Sequence, residues 1–399
     1  MIDLKARLEA LDPLLFGENR SARAGEDHDL ADQDPSPFTL FGAVGSRIAA
    51  AFGASGPSDW PKVQSVLGRF RKELEPGDPD GFQLLGYAVA GADGAPWFPA
   101  PLHLRFDRRT SALGTGDVRL IPHDSLRPEP WPRGTWSSTG PGWRLRAPGE
   151  EPEEEAEGQI WIDQSLLGAA LTGASSPSAL AGQAELPTHL FRPENRIGLA
   201  IRNRTNTAVE GRLFARPYRR FASFVPQTGP AWRSGGYVVY VRVRELAGKT
   251  ASDLGGIGFL GGDRGRCKAS FVEEDPLAAL RGAVEGVAGE ADGLLLYLLT
   301  PAPASTSWPE VEGQVPLAAA VGKGRRISGW NGASHRPRGI EVLIPEGSVA
   351  FYRWPEGRGT PEARVELIRS LWLQSIADRF SNVGLGRVLP GIWRAGDGD

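Results

Sequence analysis

A single cysteine, Cys267, in 399 residues excludes an internal disulfide framework and any multi-cysteine zinc or iron–sulfur site. The five histidines (His28, His103, His123, His189, His335) are scattered, without the spacing of metal ligands. No metal and no cofactor is therefore expected. Long hydrophobic runs are missing too: Leu294-Leu295-Leu296-Tyr297-Leu298-Leu299 is far too short to cross a bilayer and reads as a buried strand. The opening Met1-Ile2-Asp3-Leu4-Lys5-Ala6-Arg7 lacks the apolar centre of a signal peptide. These absences give the expectation of a cytoplasmic protein with no membrane partner. A Gly-x-Ser-x-Gly nucleophile elbow is absent as well.

What is present is a globular composition, 40% apolar and 23% charged. The 52 glycines and 33 prolines call for many turns and short elements, which favours a β-rich or α+β chain. The length suits about two to three domains. Charge is unevenly placed. Residues 192–233 hold nine Arg against Glu194 and Glu210, a local +7 in a chain whose net charge is −3. Such a block on an acidic chain points to a polyanion partner, RNA or DNA; a solvated arginine-rich face is the plainer alternative. Within it, 194–201 and 205–214 are two strand-like runs joined by a polar turn, so the arginines ride on a hairpin.

The pass along the chain predicts a first strand over 8–16. Ser36 as cap, Pro37 at the first helical position and Leu40, Val44, Ile48 and Phe52 at four-residue spacing predict a helix that ends at Gly53. Ser36 and Thr39 then sit at a helix start suited to a phosphate. Residues 82–98 read as strand, Asp93-Gly94 turn, strand. In 237–244, Val239, Val241 and Val243 alternate with Tyr240, Arg242 and Arg244, which predicts a half-buried strand with an aromatic-plus-Arg outer face. A strand is expected over 346–352, then a helix over 361–380 with Val365, Ile368, Trp372, Ile376 and Phe380 on one face. The glycine pair Gly384 and Gly386 lets backbone approach a ligand closely; it follows a helix, so it is no dinucleotide fingerprint.

Other motifs are discounted. Glu26-Asp27-His28-Asp29 has no partner ligands elsewhere. Gly255-Gly256-Ile257-Gly258-Phe259-Leu260-Gly261-Gly262 lacks the Lys-Ser/Thr ending of a phosphate loop. The acidic run at 150–157 reads as a solvated loop. Cys267, between Arg266 and Lys268, reads as structural despite its basic neighbours.

Seven fragments in order resemble one family, the subunit that binds the 5′ tag of CRISPR RNA in type III-B (Cmr) effector complexes, of the RAMP superfamily. They are Leu11-Asp12-Pro13-Leu14-Leu15-Phe16-Gly17-Glu18-Asn19-Arg20; Pro35-Ser36-Pro37-Phe38-Thr39-Leu40-Phe41-Gly42-Ala43; Trp97-Phe98-Pro99-Ala100-Pro101; Glu194-Asn195-Arg196-Ile197-Gly198 with Gly211-Arg212-Leu213-Phe214; Leu298-Leu299-Thr300-Pro301; Ser328-Gly329-Trp330 with Gly347-Ser348-Val349; and the 382–393 glycine loop with Gly391-Ile392-Trp393. Asn19, Phe38 and Phe214 depart from the family pattern.

The resemblance implies an α+β chain of two ferredoxin-like (RRM-type) RAMP domains, 1–234 and 235–399, with a protruding β-hairpin thumb at about 185–234. It implies a non-catalytic subunit that grips the crRNA 5′ tag, bridges the large polymerase-cyclase-like subunit to the backbone RAMP subunit, and meets target RNA only indirectly. The candidate RNA contacts are Arg20, Ser36, Thr39, Gly42 and Arg47 at the first helix; Arg196, Arg202, Arg204, Thr205, Thr207 and Arg212 on the hairpin; Arg325 and Arg326, in a cluster with Lys323, Arg336 and Arg338 that suits a subunit interface equally; and Gly384, Gly386 and Arg387. The rival reading is a metal-independent endoribonuclease acting on CRISPR repeat RNA, with His28 as its first candidate base.

Overall fold

The computed structural model describes residues 1–16, 34–68, 81–107, 119–122, 127–130, 143–146, 160–173, 184–185, 190–202, 204–205, 207–221, 223–224, 232–304, 308–322, 324–327, 330–331, 336–337, 339 and 341–394. Arg20, Lys323, Arg338, the Glu26–Asp29 motif, His123, His189, His335 and the acidic 150–157 run lie outside the described residues.

The chain is a mixed α+β fold. In order, the elements that matter here are β1 (Ile2–Ala10), α1 (Pro37–Ala51), β2 (Gln83–Ala90), β3 (Pro96–Pro99), β4 (Trp161–Asp163), α2 (Gln164–Leu171) and β5 (Ala184–Glu185). Next come β6 (Arg192–Ile201), β7 (Ala208–Arg220), β8 (Gly236–Val243), β9 (Gly256–Phe259), β10 (Arg266–Glu273) and α3 (Ala278–Val287). The last are β11 (Gly293–Leu298), β12 (Ala302–Pro303), β13 (Ala318–Ala320), β14 (Arg325–Ile327), β15 (Glu341–Ile344), β16 (Val349–Arg353), α4 (Pro361–Leu371) and β17 (Val388–Trp393).

An eight-stranded sheet in the order β9-β10-β1-β8-β2-β3-β4-β5 spans the fold. A four-stranded sheet, β13-β16-β11-β17, and a three-stranded one, β12-β15-β14, carry the later part of the chain. Two hydrophobic cores flank the large sheet. On one face α1 sets Leu40, Val44 and Ile48 against Leu4, Ala6, Leu8, Val239, Val241 and Val243. On the other face Leu85, Ala88, Val238 and Tyr240 meet β11, β16 and β17 together with α2, α3 and α4. Each aliphatic side chain fully buried this way contributes about 1.5–3 kcal/mol. Among the described residues no helix is long and apolar enough to cross a membrane.

Two expectations are met closely. α1 starts at Pro37 with the Ser36 hydroxyl as its cap, and Gly53 follows its end in the left-handed region at φ +78°. The 294–299 run is buried throughout, as strand to Leu298 with Leu299 just beyond it. Others are corrected. The first strand lies at 2–10 rather than 8–16, because Leu4, Ala6, Leu8 and Ala10 alternate inward and Asp12-Pro13 ends the ladder. Leu14 and Leu15 make only isolated bridges, to Arg219 and Gly262. The 346–352 strand begins later, at Val349, after Gly347 turns the chain at φ +87°.

The aromatic face of 237–244 is not an outer face. Tyr240 is 1% exposed and lies in the second core, and burial pushes its hydroxyl pKa up, beyond the ordinary phenol range. The last helix stops at Leu371 instead of Phe380. Leu373 takes φ +58°, and its amide donates to Val388 O at 3.0 Å, while the Ile376 amide donates to Gly386 O at 2.9 Å. The apolar spacing continues past 371, but the backbone has turned to pair with β17 and its preceding loop. Cys267 is 1% exposed, and burial pushes its thiol up to about 11, the behaviour of an inert structural cysteine.

Backbone packing in the large sheet is close enough to test. A Cβ at Gly236 would lie 1.9 Å from Leu8 O, between paired strands. Gly236→Ala is expected to cost about 3 kcal/mol, read as a lower urea midpoint. Gly282→Ala on α3, where an added Cβ meets nothing within 4 Å, is expected to add about 0.5–1 kcal/mol of stability and so to raise that midpoint.

Candidate nucleic-acid interface

Three stretches far apart in sequence meet at the start of α1. Phe38 on its first turn packs with Ile327 of β14, Leu343 of β15 and with Ala377, Phe380 and Leu385 of the loop before β17. The Phe38 and Phe380 rings lie edge to face with centroids 5.2 Å apart. The helix start, the Arg325–Arg326 strand and the glycine loop therefore form one locality.

The cap itself is compact. Ser36 Oγ accepts from the Thr39 amide at 3.3 Å and shares a hydrogen bond with Thr39 Oγ1 at 3.0 Å. Gly42, one turn on, is exposed. Just ahead of the cap, the Asp34 carboxylate receives the guanidinium of Arg219, which is 2% exposed at the base of β7. Arg219 also donates to the Tyr237 hydroxyl at 3.0 Å and lies over the Phe191 ring, 3.6 Å from its centroid. Sequence reasoning missed this buried clamp; its only trace was an arginine pair closing an otherwise strand-like run.

A second charged pair lies close enough to feel Asp34. Arg325 Nη1 stands 3.3 Å from Glu346 Oε1, and Glu346 is 2% exposed. Burial pushes the Glu346 carboxyl up, with Arg325 opposing and the Asp34 charge adding to the rise. Arg325 Nε and Nη2 are buried without a hydrogen bond of standard geometry among the described residues. Arg326, next along β14, is exposed. Glu346 and Tyr87, whose hydroxyl burial pushes well up, were also missed from sequence, because nothing local marks a carboxylate or phenol as buried.

The glycine loop is built inward. Gly384 and Gly386 take φ +91° and +69°, and added Cβ atoms would lie 2.3 Å from Leu84 Cδ2 and 2.8 Å from the Ala377 nitrogen. Their freedom serves close packing against the protein itself. Thr300 donates to Gly384 O at 2.6 Å and accepts from the Arg387 amide at 2.9 Å. Arg387 is 6% exposed and donates to Leu84 O at 3.1 Å, Leu373 O at 2.9 Å and Ser381 O at 2.8 Å, with Gln83 Oε1 at 3.3 Å. Burial, with Arg242 as a lesser cause, pushes its pKa down to about 10. Its guanidinium holds the loop and faces the interior. Arg47 is likewise occupied, donating to Leu254 O at 3.0 Å and Ile257 O at 3.5 Å, on the β9 side of α1.

The basic block is a two-stranded hairpin, β6 with β7, pairing Arg192 with Arg220 through Leu199 with Leu213 before a bulge. Arg202 and Arg204 at its turn are exposed and have no ion-pair partner among the described residues. Thr205 and Thr207 share a hydroxyl hydrogen bond of 2.7 Å there. Arg212 lies on β7. Arg196 is partly neutralised, donating to Glu194 at 2.8 Å while it lies over the Tyr218 ring. Unexpectedly, the hairpin also carries an apolar stripe: Ile197, Leu199 and Ile201, on one face by strand alternation, are 74%, 49% and 55% exposed. Its base is anchored by Arg216 and Tyr218, which donate to Asp263 at 2.9 and 2.5 Å, and by Arg220, which pairs with Glu194.

Among the described residues no group of three or more His, Cys, Asp or Glu side chains is placed to hold a metal. His28 lies outside the described residues.

A family model described as CRISPR-associated protein (Cas_Cmr3) matches residues 6–393. No curated protein matches the chain. Among solved structures, a chain of a type III-B Cmr-beta complex bound to cognate target RNA and AMPPnP is 16% identical over 87% of this chain and 86% of that one, with a TM-score of 0.43. A chain of the complex bound to cognate target RNA is 15% identical over 88% and 86%, with a TM-score of 0.42. A chain of a Csm3–Csm4 subcomplex from a type III-A CRISPR-Cas interference complex is 10% identical over 88% and 94%, with a TM-score of 0.31.

The anchoring of the hairpin makes it acid-sensitive. Tyr218 and then Arg216 hold the Asp263 carboxyl below its usual range, and Arg220 and then Arg196 do the same for Glu194. Both carboxyls bind protons more weakly folded than unfolded, so their contribution is intact above the ordinary carboxylate range and is lost as pH falls through the lowered values. Hydrogen exchange of the 192–199 and 213–220 amides, corrected for intrinsic rates, is expected to stay protected at about pH 6 and to lose protection toward about pH 3. Asp263→Asn is expected to weaken protection already at the higher pH.

Proposed function

The chain belongs to the Cas_Cmr3 family of CRISPR-associated proteins, and from that premise we propose that it is the subunit that grips the 5′ tag of the guide RNA in a type III-B effector ribonucleoprotein. In this reading the fold is two ferredoxin-like RAMP domains meeting near residue 235, with the β6–β7 hairpin as a thumb. The subunit joins the large polymerase-cyclase-like subunit to the backbone RAMP subunits and works by binding, without chemistry of its own.

One observation carries the reading: the capped start of α1, the Arg325–Arg326 strand and the 375–387 loop share one locality, joined through Asp34 to Arg219 at the base of the arginine-bearing hairpin. Tag phosphates would meet the positive end of the α1 dipole at Ser36 and Thr39, with exposed Gly42 leaving room for the backbone. Exposed Arg326 supplies positive charge to the same strand of RNA, and Arg325, ion-paired with the buried Glu346, holds β14 in place beside it. Arg20 belongs to this end of the site on the sequence alone. Arg202, Arg204, Thr205 and Thr207 at the turn, with Arg196 and Arg212 on the strands, would steer the RNA beyond the tag. Gly384, Gly386 and Arg387 act by fixing the loop that forms the wall of the groove, and Arg47 by bracing α1. Base identity would be read by stacking and edge contacts on single-stranded RNA.

Six neutralised phosphates give a slope of log K against log salt near about −4, so affinity for tag RNA should drop roughly 250-fold between about 50 and 200 mM salt. Fluorescence anisotropy with a repeat-derived tag oligonucleotide measures this; a flat response would remove the electrostatic basis of the reading. Arg202→Ala and Arg204→Ala together should make the slope shallower by about 1.4. Incubating the chain with repeat RNA in EDTA should leave the RNA intact. Specific cleavage there would replace this reading with a metal-independent endoribonuclease.

A further inference from the structure

The glycine-rich Gly255–Gly262 motif is not explained by RNA binding, and its structure gives it another use. β9 is the edge of the eight-stranded sheet, and its residues alternate sharply. Gly256 and Gly258 face inward, where an added Cβ at Gly256 would lie 3.3 Å from the Arg47 guanidinium and one at Gly258 3.7 Å from Cys267 Sγ. Ile257 and Phe259 face outward and are 52% and 56% exposed. The glycines seat Arg47, whose hydrogen bonds to Leu254 O and Ile257 O brace the edge strand from beneath. The outcome is a firmly held strand that displays two large apolar side chains to solvent. Exposed apolar residues on an edge strand are a liability that folds usually blunt.

The surroundings point to what covers them. By register, Ile257 stands opposite Lys268 and Phe259 opposite Arg266, and the same face of β10 continues to Val272, itself 52% exposed. Around this apolar centre the rim is already ion-paired. Arg266 donates to Asp12 at 2.8 and 3.1 Å, and Lys5 to Glu274 at 3.1 Å. Lys268 alone among these cations has no partner among the described residues. A nucleic-acid platform needs several uncompensated cations; this face offers Lys268 and, on β1, Arg7, with the Glu9 carboxylate standing opposite Lys268 by register. An apolar centre with a paired polar rim is the anatomy of a protein interface.

We propose that the outer face of β9 and β10 docks a protein subunit of the same assembly, one that presents apolar side chains to Ile257 and Phe259 and a carboxylate to Lys268. The inference rests on reading the chain as an effector subunit but on none of its RNA contacts.

The test uses the full chain co-expressed with the other protein subunits of its complex. Ile257→Asp with Phe259→Asp should lower co-purification of a partner subunit at least tenfold and leave the affinity of the chain for tag RNA unchanged. Lys268→Glu should weaken the same partner, and Val315→Asp, at a residue 60% exposed elsewhere, should not. In the unaltered complex, amides of 256–259 should exchange more slowly than in the chain alone. Full retention of all partners by the double variant, or unchanged exchange at 256–259, overturns the proposal. Loss of RNA affinity in the variant overturns it in favour of a nucleic-acid platform. A wild-type chain that fails to bind tag RNA while the docking result holds would sink the function proposed above and leave this interface standing.

Discussion

The locality at the start of α1 depends on one guanidinium buried with no carboxylate partner among the described residues. Removing a cation from water costs several kcal/mol, and Arg387 is 6% exposed. Three backbone carbonyls and the Gln83 amide oxygen offset that cost, each hydrogen bond to a charged donor contributing about 1.5–3 kcal/mol. Those acceptors come from β2, from the residues just after α4 and from the turn before the glycine loop. One side chain thus ties a strand of the large sheet to the loop that packs against α1. The positive φ angles of Gly384 and Gly386 follow from the same constraint, since the loop must lie against Leu84 and Ala377 for Arg387 to reach its acceptors.

The arginine-rich block shows how net charge and available charge diverge. Of its nine arginines, Arg219 is internal, and Arg196, Arg216 and Arg220 have carboxylate partners. Among the described residues Arg202 and Arg204 at the turn, and Arg192 at the start of β6, are exposed without a carboxylate partner. A local charge of +7 therefore overstates the field at the hairpin surface, and the apolar stripe of Ile197, Leu199 and Ile201 matters as much to what the hairpin can touch. Flat bases suit both features together, with phosphates on the arginines and ring faces on the aliphatic side chains.

Local chemistry was legible in the sequence; tertiary coverage was not. The Ser36 cap, Pro37 and the four-residue apolar spacing specified α1 almost to the residue, because those signals act within one turn. The strand at 237–244 was found, yet its outer face was misread. Period-two alternation separates the two faces of a strand but cannot say whether water or a second core lies beyond, and Tyr240 and Val238 meet the second core. The same blindness affected Arg47 and Arg387, cations whose carbonyl acceptors are some 200 and 300 residues away in sequence. For α4 the apolar spacing persisted through Trp372 and Ile376 after the helix had ended, because those side chains stay near the core while their backbone turns toward β17.

The hairpin and the β9 edge are mechanically linked through one turn. Asp263, in the turn between β9 and β10, takes hydrogen bonds from Arg216 and Tyr218 of β7, and the Gly262 amide beside it donates to Leu15 O at 2.7 Å. Arg266, at the start of β10, is fixed in turn by Asp12. The surface that displays Ile257 and Phe259 is thereby continuous with the base of the arginine hairpin, with no flexible linker between them. A protein seated on β9 and β10 would bear directly on the turn that orients the hairpin, and an RNA strand pulling on the hairpin would load the same carboxylate. Asp263 needs its charge for that role, since a neutral carboxyl could not hold the Arg216 guanidinium and the Tyr218 hydroxyl with comparable strength. The link is a half-exposed contact, Asp263 at 47% and Arg216 at 40%, so it orients the two surfaces relative to each other without locking them.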